Sequence, residues 1–292
     1  MIAPPGHRLP AATTVGPVTL QVADLERSIM YYERVLGLRA ADRKPGSATL
    51  TTADGVTPLV LLRERSGATP VPRRGRLGLY HFAILLPDRP SLGRFIRHLA
   101  ESGVRAGMSD HLVSEAVYLT DPDGLGIEVY ADRPRGHWRH EGGQLLMATE
   151  PLDVDDVVRE AGDTRWSGMP AGSTLGHVHL FVGDLDAAAR FYHEGLGFDK
   201  MVWSYPGALF LSAGGYHHHL GTNTWAAGAA PPAEGDARLL EWEIRVPSHS
   251  DAAATLESLR SVGAEAQRTE DGALARDPWG TMVRILFRSH DS

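Results

Sequence analysis

Histidine and carboxylate recur in this chain on stretches that otherwise read as apolar strands. The run Gly176-His177-Val178-His179-Leu180-Phe181 places two imidazoles on one face and Val178 and Leu180 on the other, because side chains alternate across a strand. Some forty residues on, Tyr216-His217-His218-His219-Leu220-Gly221 brings three more histidines, and His81 stands in a third such stretch, Tyr80-His81-Phe82. Glu128 lies in Gly-Ile-Glu-Val-Tyr, where a buried carboxylate is costly unless a metal or a salt bridge meets it. Strands that carry imidazole toward one place can build a metal site or a proton-transfer site.

Composition narrows the choice. With no cysteine among 292 residues, disulfides, thiolate nucleophiles, zinc-thiolate sites and iron-sulfur clusters are excluded, so any metal must sit on His, Asp or Glu. A formal charge of −7 argues against general affinity for nucleic acid or anionic lipid, which both need a basic face. A hydrophobic fraction of 42%, with no apolar run long enough to span a bilayer, is that of a soluble protein. The first residues lack a basic start followed by an apolar stretch, so a cytoplasmic location is expected. A small-molecule substrate is the better expectation.

The elements that must position these residues repeat. Pro17–Val22 reads as a strand, Asp24 as a helix cap, and Leu25–Leu36 as an amphipathic helix ending at Gly37, followed by strands over 39–43, 48–52 and 58–64. The same order returns with a strand over 80–86, a helix over 91–102 and strands near 105, over 116–120 and over 126–130, the last two separated by Asp121-Pro122-Asp123-Gly124. It begins a third time at His177 and a fourth at Glu241. Asp24-Leu25 through Leu36-Gly37 recurs as Asp184-Leu185 through Leu196-Gly197, and Asp121-Pro122-Asp123-Gly124 as Asp277-Pro278-Trp279-Gly280. The chain is four βαβββ modules.

On these residues the chain resembles the vicinal oxygen chelate superfamily of glyoxalases, bleomycin-resistance proteins and extradiol dioxygenases, over residues 15 to 288. The resemblance is closest to the bacterial two-domain catechol 2,3-dioxygenase-like group. It is carried by Gly78-Leu79-Tyr80-His81-Phe82-Ala83-Ile84-Leu85-Leu86-Pro87, by Ser109-Asp110-His111-Leu112-Val113-Ser114-Glu115-Ala116, by residues 121–134, and by Gly214-Gly215-Tyr216-His217-His218-His219. It implies an α+β fold in which four βαβββ modules pair into two incomplete β-barrels. The N-terminal half would span 14–135, a connector 136–172 and the C-terminal half 173–289.

In that superfamily the ligands come from the first strand of each paired module and the last strand of one or both. The first-strand positions here are Pro17, His81, His177 and Glu241, and the last-strand positions of modules two and four are Glu128 and Arg284. Proline offers no ligand atom and arginine is a cation, so modules one and four are poor binders. A catalytic barrel of modules two and three would gather His81, Glu128 and His177, a set that suits Fe(II) with open positions, with Mn(II) sharing the same ligand preference. Were each half closed on itself, the second would instead offer His177, Glu241 and a histidine of the triple run.

The resemblance further implies His217 as the acid-base residue, and His111 and Tyr118 as groups that hold a substrate oxygen. His179 is expected to be packed behind the site. Trp203, Tyr205, Phe210 and Trp225 are candidates for an aromatic pocket. The implied reaction is extradiol cleavage of a catechol-type aromatic by Fe(II), with O2 as co-substrate, to a muconic semialdehyde-type product. The implied partner is a small aromatic diol, and homo-oligomers are common in the family. Two other readings stand beside it: a glyoxalase-like metal-dependent isomerase or lyase, which would prefer a second carboxylate, and a metal-free aromatic-drug-binding resistance protein, which would have no use for the triad.

Overall fold

Asp24, Asp88, Asp184 and Ser248 each adopt an extended backbone and accept a hydrogen bond from an amide three residues on, so each starts a helix. Those caps set the beat of the computed structural model, which describes residues 1–287. Residues 288 and 289 of the C-terminal half delimited above lie outside the described residues. Module one runs β1 (Thr14–Val22), α1 (Leu25–Leu36), β2 (Arg39–Lys44), β3 (Ser47–Thr51) and β4 (Pro58–Glu64); module two runs β5 (Gly78–Leu85), α2 (Arg89–Glu101), β6 (Gly107–Asp110), β7 (Ser114–Thr120) and β8 (Gly126–Asp132). A small ribbon, β9 (His140–Glu141) with β10 (Gln144–Leu145), and α3 (Val154–Glu160) connect the halves.

Module three follows as β11 (Thr174–Phe181), α4 (Leu185–Ala188), β12 (Asp199–Val202), β13 (Ala208–Ser212) and β14 (Leu220–Asn223). Module four is β15 (Arg238–Val246), α5 (His249–Ser261), β16 (Glu265–Thr269), β17 (Gly272–Arg276) and β18 (Met282–Phe287). Where α1 is regular, the helix of module three widens into π-helical turns over Ala189–Gly195. Gly195 stands where module one has Val35, and a Cβ there would lie 2.8 Å from Val262 Cγ2, so the missing side chain lets this helix approach the end of α5.

The modules pair across the halves rather than within them. One eight-stranded sheet runs β12-β13-β14-β11-β5-β8-β7-β6 and the other β16-β17-β18-β15-β1-β4-β3-β2. Module three therefore joins module two through antiparallel β11 and β5, and module four joins module one through β15 and β1. The arrangement in which each half closes on itself is ruled out. Val18, Leu20, Phe82, Ile84, Val178 and Leu180 lie on the faces that pack into one continuous core, leaving the opposite, concave faces for polar residues. Tyr32 of α1 donates to Asp121 (3.2 Å) and Tyr192 of module three to Asp277 (2.8 Å), so each helix is tied to the turn of the module that follows it in the other sheet. The α+β fold of two incomplete barrels is the one the repeats imply. No helix among the described residues is long and apolar enough to cross a membrane.

Candidate active site

Strand register assembles the polar cluster. Ala83 of β5 pairs with Glu128 on parallel β8 and with His177 on antiparallel β11, so these three stand abreast on the concave face, and His81 lies two residues from Ala83 on the same face. The small alanine between them leaves room for imidazole. Glu128 Oε2 lies 2.9 Å from His81 Nε2 and 3.2 Å from His177 Nε2, and one donor atom from each of the three lies within 4.8 Å of the others. All three residues are buried.

The electrostatics fit a metal ion. Burial pushes Glu128 up, but His177 and His81 beside it prevail and hold its carboxyl well below the ordinary range. Burial pushes His177 down to about 4 against the pull of Glu128. A charged carboxylate facing the neutral imidazole of His177 is the protonation state in which such ligands take up a cation. His177 Nδ1 is buried with no hydrogen-bond partner. Two imidazole nitrogens and one carboxylate oxygen converging in a dry pocket suit a divalent transition metal.

His81 and Glu128 of this cluster line a cavity of about 200 Å³. His111 and Tyr118 line it together: the Tyr118 hydroxyl donates to His111 Nε2 (2.5 Å), whose Nδ1–H donates to the Ala148 carbonyl (2.7 Å). His111 is aimed by a tight turn in which Leu112 adopts a left-handed φ of 67° and donates its amide to Asp110 (2.8 Å). His179 also reaches the cavity wall, held by Asn223, whose amide donates to His179 Nε2 (3.0 Å), so it lines the site without joining the cluster of three. Tyr205, Phe210 and Trp225 form an aromatic side, while Trp203 stays outside it.

Tyr80 completes that aromatic side, and periodicity alone does not place it there. Between the pairs His179↔His81 and Leu180↔Leu79, Tyr80 is an extra residue, a bulge that turns two consecutive side chains into the cavity. Gly176 is the matching irregularity on β11, between Leu175↔Ile84 and His177↔Ala83. A Cβ at Gly176 would lie 1.7 Å from the Tyr130 hydroxyl, so that ring packs directly beneath the strand carrying His177.

His217 requires a correction. The resemblance implies it as the acid-base residue at the site, but β14 begins only at Leu220, and the preceding turn carries Gly214 and Gly215 at φ 62° and 68°. His218 consequently lines the cavity, while His217 is fully buried behind it. His217 Nε2–H donates to Asp132 (2.9 Å), leaving its Nδ1 to accept from His218 Nδ1–H (2.7 Å). Tyr216 donates to the same Asp132 oxygen (3.1 Å) and accepts from Tyr130 (2.7 Å). This network fixes His218 with Nε2 unprotonated, and burial, with His177 nearby, keeps its pKa well below the usual imidazole value. Asp132 was legible in principle, since Glu128, Tyr130 and Asp132 share one face of β8.

In the second sheet the same positions are occupied differently. Glu241 stands where the first sheet has His81 and Arg284 where it has Glu128, and the two form a two-pronged ion pair of 3.1 and 3.0 Å. Pro17 replaces His177 and supplies no ligand atom. A salt bridge thus closes the counterpart site.

Comparison with known proteins identifies the family. A model of the Glyoxalase/Bleomycin resistance protein/Dioxygenase superfamily matches residues 14–129 and 174–288. The chain is 43% identical to the catechol-2,3-dioxygenase of Bacillus subtilis over 270 residues, 91% of this chain and 94% of that one. Among solved structures, a Bacillus subtilis protein provisionally described as a dioxygenase superposes with a TM-score of 0.66 at 15% identity, covering 96% of this chain and 86% of that one. Glyoxalase I from Zea mays follows at 0.55 and 18%, covering 94% and 92%. The latter two show the fold alone. With two matches of the family model covering most of its length and a dioxygenase relative aligned nearly end to end, this chain belongs to the glyoxalase, bleomycin resistance protein and dioxygenase superfamily.

Proposed function

We propose that the protein is an extradiol ring-cleaving dioxygenase, a non-haem Fe(II) enzyme that opens a catechol-type diol with O2 to a muconic semialdehyde-type product. The observation that carries this reading is the His81–Glu128–His177 cluster, of which His81 and Glu128 line a cavity shared with His218, His111, Tyr118 and aromatic rings. The 43% identity to a catechol-2,3-dioxygenase supports it. His81, Glu128 and His177 would hold Fe(II), with Mn(II) as the alternative, and the ion would supply a redox-active Lewis acid at which diol and dioxygen are brought together.

The remaining work falls to the chain. Phe210, Tyr205, Trp225 and Tyr80 receive the ring by edge and offset contacts, and they shield the site from water. Tyr118 donates its hydrogen bond to His111, so a lone pair of its oxygen is free to accept from a diol hydroxyl and orient it. His218 Nε2 takes up a diol proton and later returns it, while Asp132, through His217, holds the required tautomer. Among the described residues no lysine or arginine lines this cavity, so ring substituents should be uncharged. Among the described residues Glu128 is the one carboxylate that lines the cavity, which disfavours the glyoxalase-like reading.

The test is to purify the protein without oxygen, measure bound metal, and add catechol, 4-methylcatechol or 3,4-dihydroxybenzoate with air. Near-stoichiometric iron and a yellow product from the first two, with the carboxylated diol poorer by about tenfold or more, are expected. His81→Ala and Glu128→Ala should lose the metal, whereas Glu241→Ala, in the other sheet, should keep it. Metal-free protein that binds an aromatic drug tightly and opens no ring would overturn the reading.

A further inference from the structure

A second cavity, of about 400 Å³, is lined by residues of β4, β15, β17 and the turn before β18 in the other sheet, together with Leu77, Gly78, Leu79 and Leu125 of module two. Its lining is unlike that of the first. Arg63, Arg76, Arg238 and Arg276 all face it, and Glu241 is the only acid that lines it among the described residues. That carboxylate is already engaged by Arg284 at 3.0 Å. In a chain of net charge −7, this is a concentrated positive site.

Two of these cations lack partners. Arg76 pairs with Asp236 (3.3 Å) and Arg276 with Glu265 (3.5 Å), but Arg63 and Arg238 have no ion-pair or hydrogen-bond partner among the described residues. Arg238 Nε is moreover a buried donor with nothing to receive it. Strand register brings the two together: Gln21 of β1 pairs with Arg63 on β4 and with Arg238 on β15, so the three stand abreast on the concave face. The arginines flank the glutamine on strands separated by about 10 Å, a gap that two long side chains close over a small group. Gln21 is itself pinned, donating to the carbonyls of Glu234 and Asp236 at 2.7 Å each. At the corresponding places in the first barrel stand Asn223 and Gly78, which pair with Phe181 and bring no charge.

The lining also carries apolar Leu79, Leu239, Met282 and Trp279. Guanidinium forks match a planar carboxylate, and the apolar side suits a hydrocarbon body rather than a naked inorganic ion. We infer that the second barrel binds a small organic carboxylate, held by Arg63 and Arg238 and seated on the apolar side. The site is separate from the His81–Glu128–His177 cluster, and the inference stands whatever reaction that cluster performs.

Calorimetric titration of the full-length protein with benzoate, with its neutral isostere benzamide and with inorganic phosphate tests this. Benzoate should bind and benzamide should not, with benzoate affinity falling as salt is raised. Arg63→Gln and Arg238→Gln should each weaken benzoate about tenfold or more, and the pair together should abolish binding. Glu128→Gln, in the other barrel, should leave it unchanged. Equal binding of benzoate and benzamide, binding of phosphate alone, or benzoate binding untouched in the folded double variant would each overturn the assignment. Circular dichroism and thermal melts of the variants establish that they are folded.

Discussion

Gly176→Ala offers the sharpest test of how the fold serves the cluster. The added Cβ would lie 1.7 Å from Tyr130 Oη and 2.7 Å from Tyr130 Cζ, both below any tolerated contact. Tyr130 cannot easily yield: it is fully buried, its hydroxyl donates to Tyr216 (2.7 Å), and its ring lies 5.0 Å from that of His177. Strand β11 must therefore move, at a cost of about 1–3 kcal/mol for overpacking. Because His177 is the next residue, the same shift should lower metal affinity by about 10–100-fold, the range seen when support of a ligand is disturbed. Tyr130→Phe alone should cost about 1 kcal/mol through the lost hydrogen bond. Combined with Gly176→Ala it removes the atom at 1.7 Å but leaves the ring carbon, so the double variant should be more stable than the sum of the singles by roughly 1 kcal/mol. Urea denaturation of the four proteins with metal titration reads both quantities. A Gly176→Ala protein of wild-type stability and metal affinity, or strictly additive losses, would refute the reasoning.

Two further outcomes follow from the buried polar groups. His218→Ala should retain metal and lower kcat by about 10²–10⁴-fold, whereas Asp132→Asn, acting only through His217, should give a smaller loss of kcat with metal content unchanged; metal analysis beside steady-state kinetics separates these from loss of the centre. Burial raises Asp121 to about 7, against the hydrogen bonds it accepts from Leu125, Asp123 and Tyr32. A carboxyl whose folded pKa is raised binds its proton more tightly in the native state, so its unfavourable contribution grows as pH rises from about 4 to 7. Chemical denaturation across that window should show Asp121→Asn gaining stability relative to wild type as pH increases, and a flat difference would exclude the effect.

Much of the fold and part of the site are local enough to be legible in the sequence. Caps at Asp24, Asp88 and Asp184 are single-residue hydrogen-bond devices, and the recurrence of Asp121-Pro122-Asp123-Gly124 as Asp277-Pro278-Trp279-Gly280 reveals the modules before any contact is known. Strand alternation alone puts His177 and His179 on one face, and Pro17 and Arg284 disqualify their modules by chemical type. What those signals leave open is decided by pairing. Whether module two meets module one or module three depends on hydrogen bonds between β5 and β11, strands nearly a hundred residues apart. Only that pairing puts His177 beside Glu128.

Tertiary structure also decided the details that a period of two does not predict. A bulge adds one residue and swings Tyr80 into the cavity, and the turn before β14 exchanges the places of His217 and His218. In both cases the alternation rule holds only while the ladder is unbroken, because one unpaired residue shifts every side chain beyond it to the other face. The sequence by itself determined which residues have the chemistry and how many modules carry them. Which ones share a cavity was decided by long-range hydrogen bonds between strands, whose register no local propensity encodes.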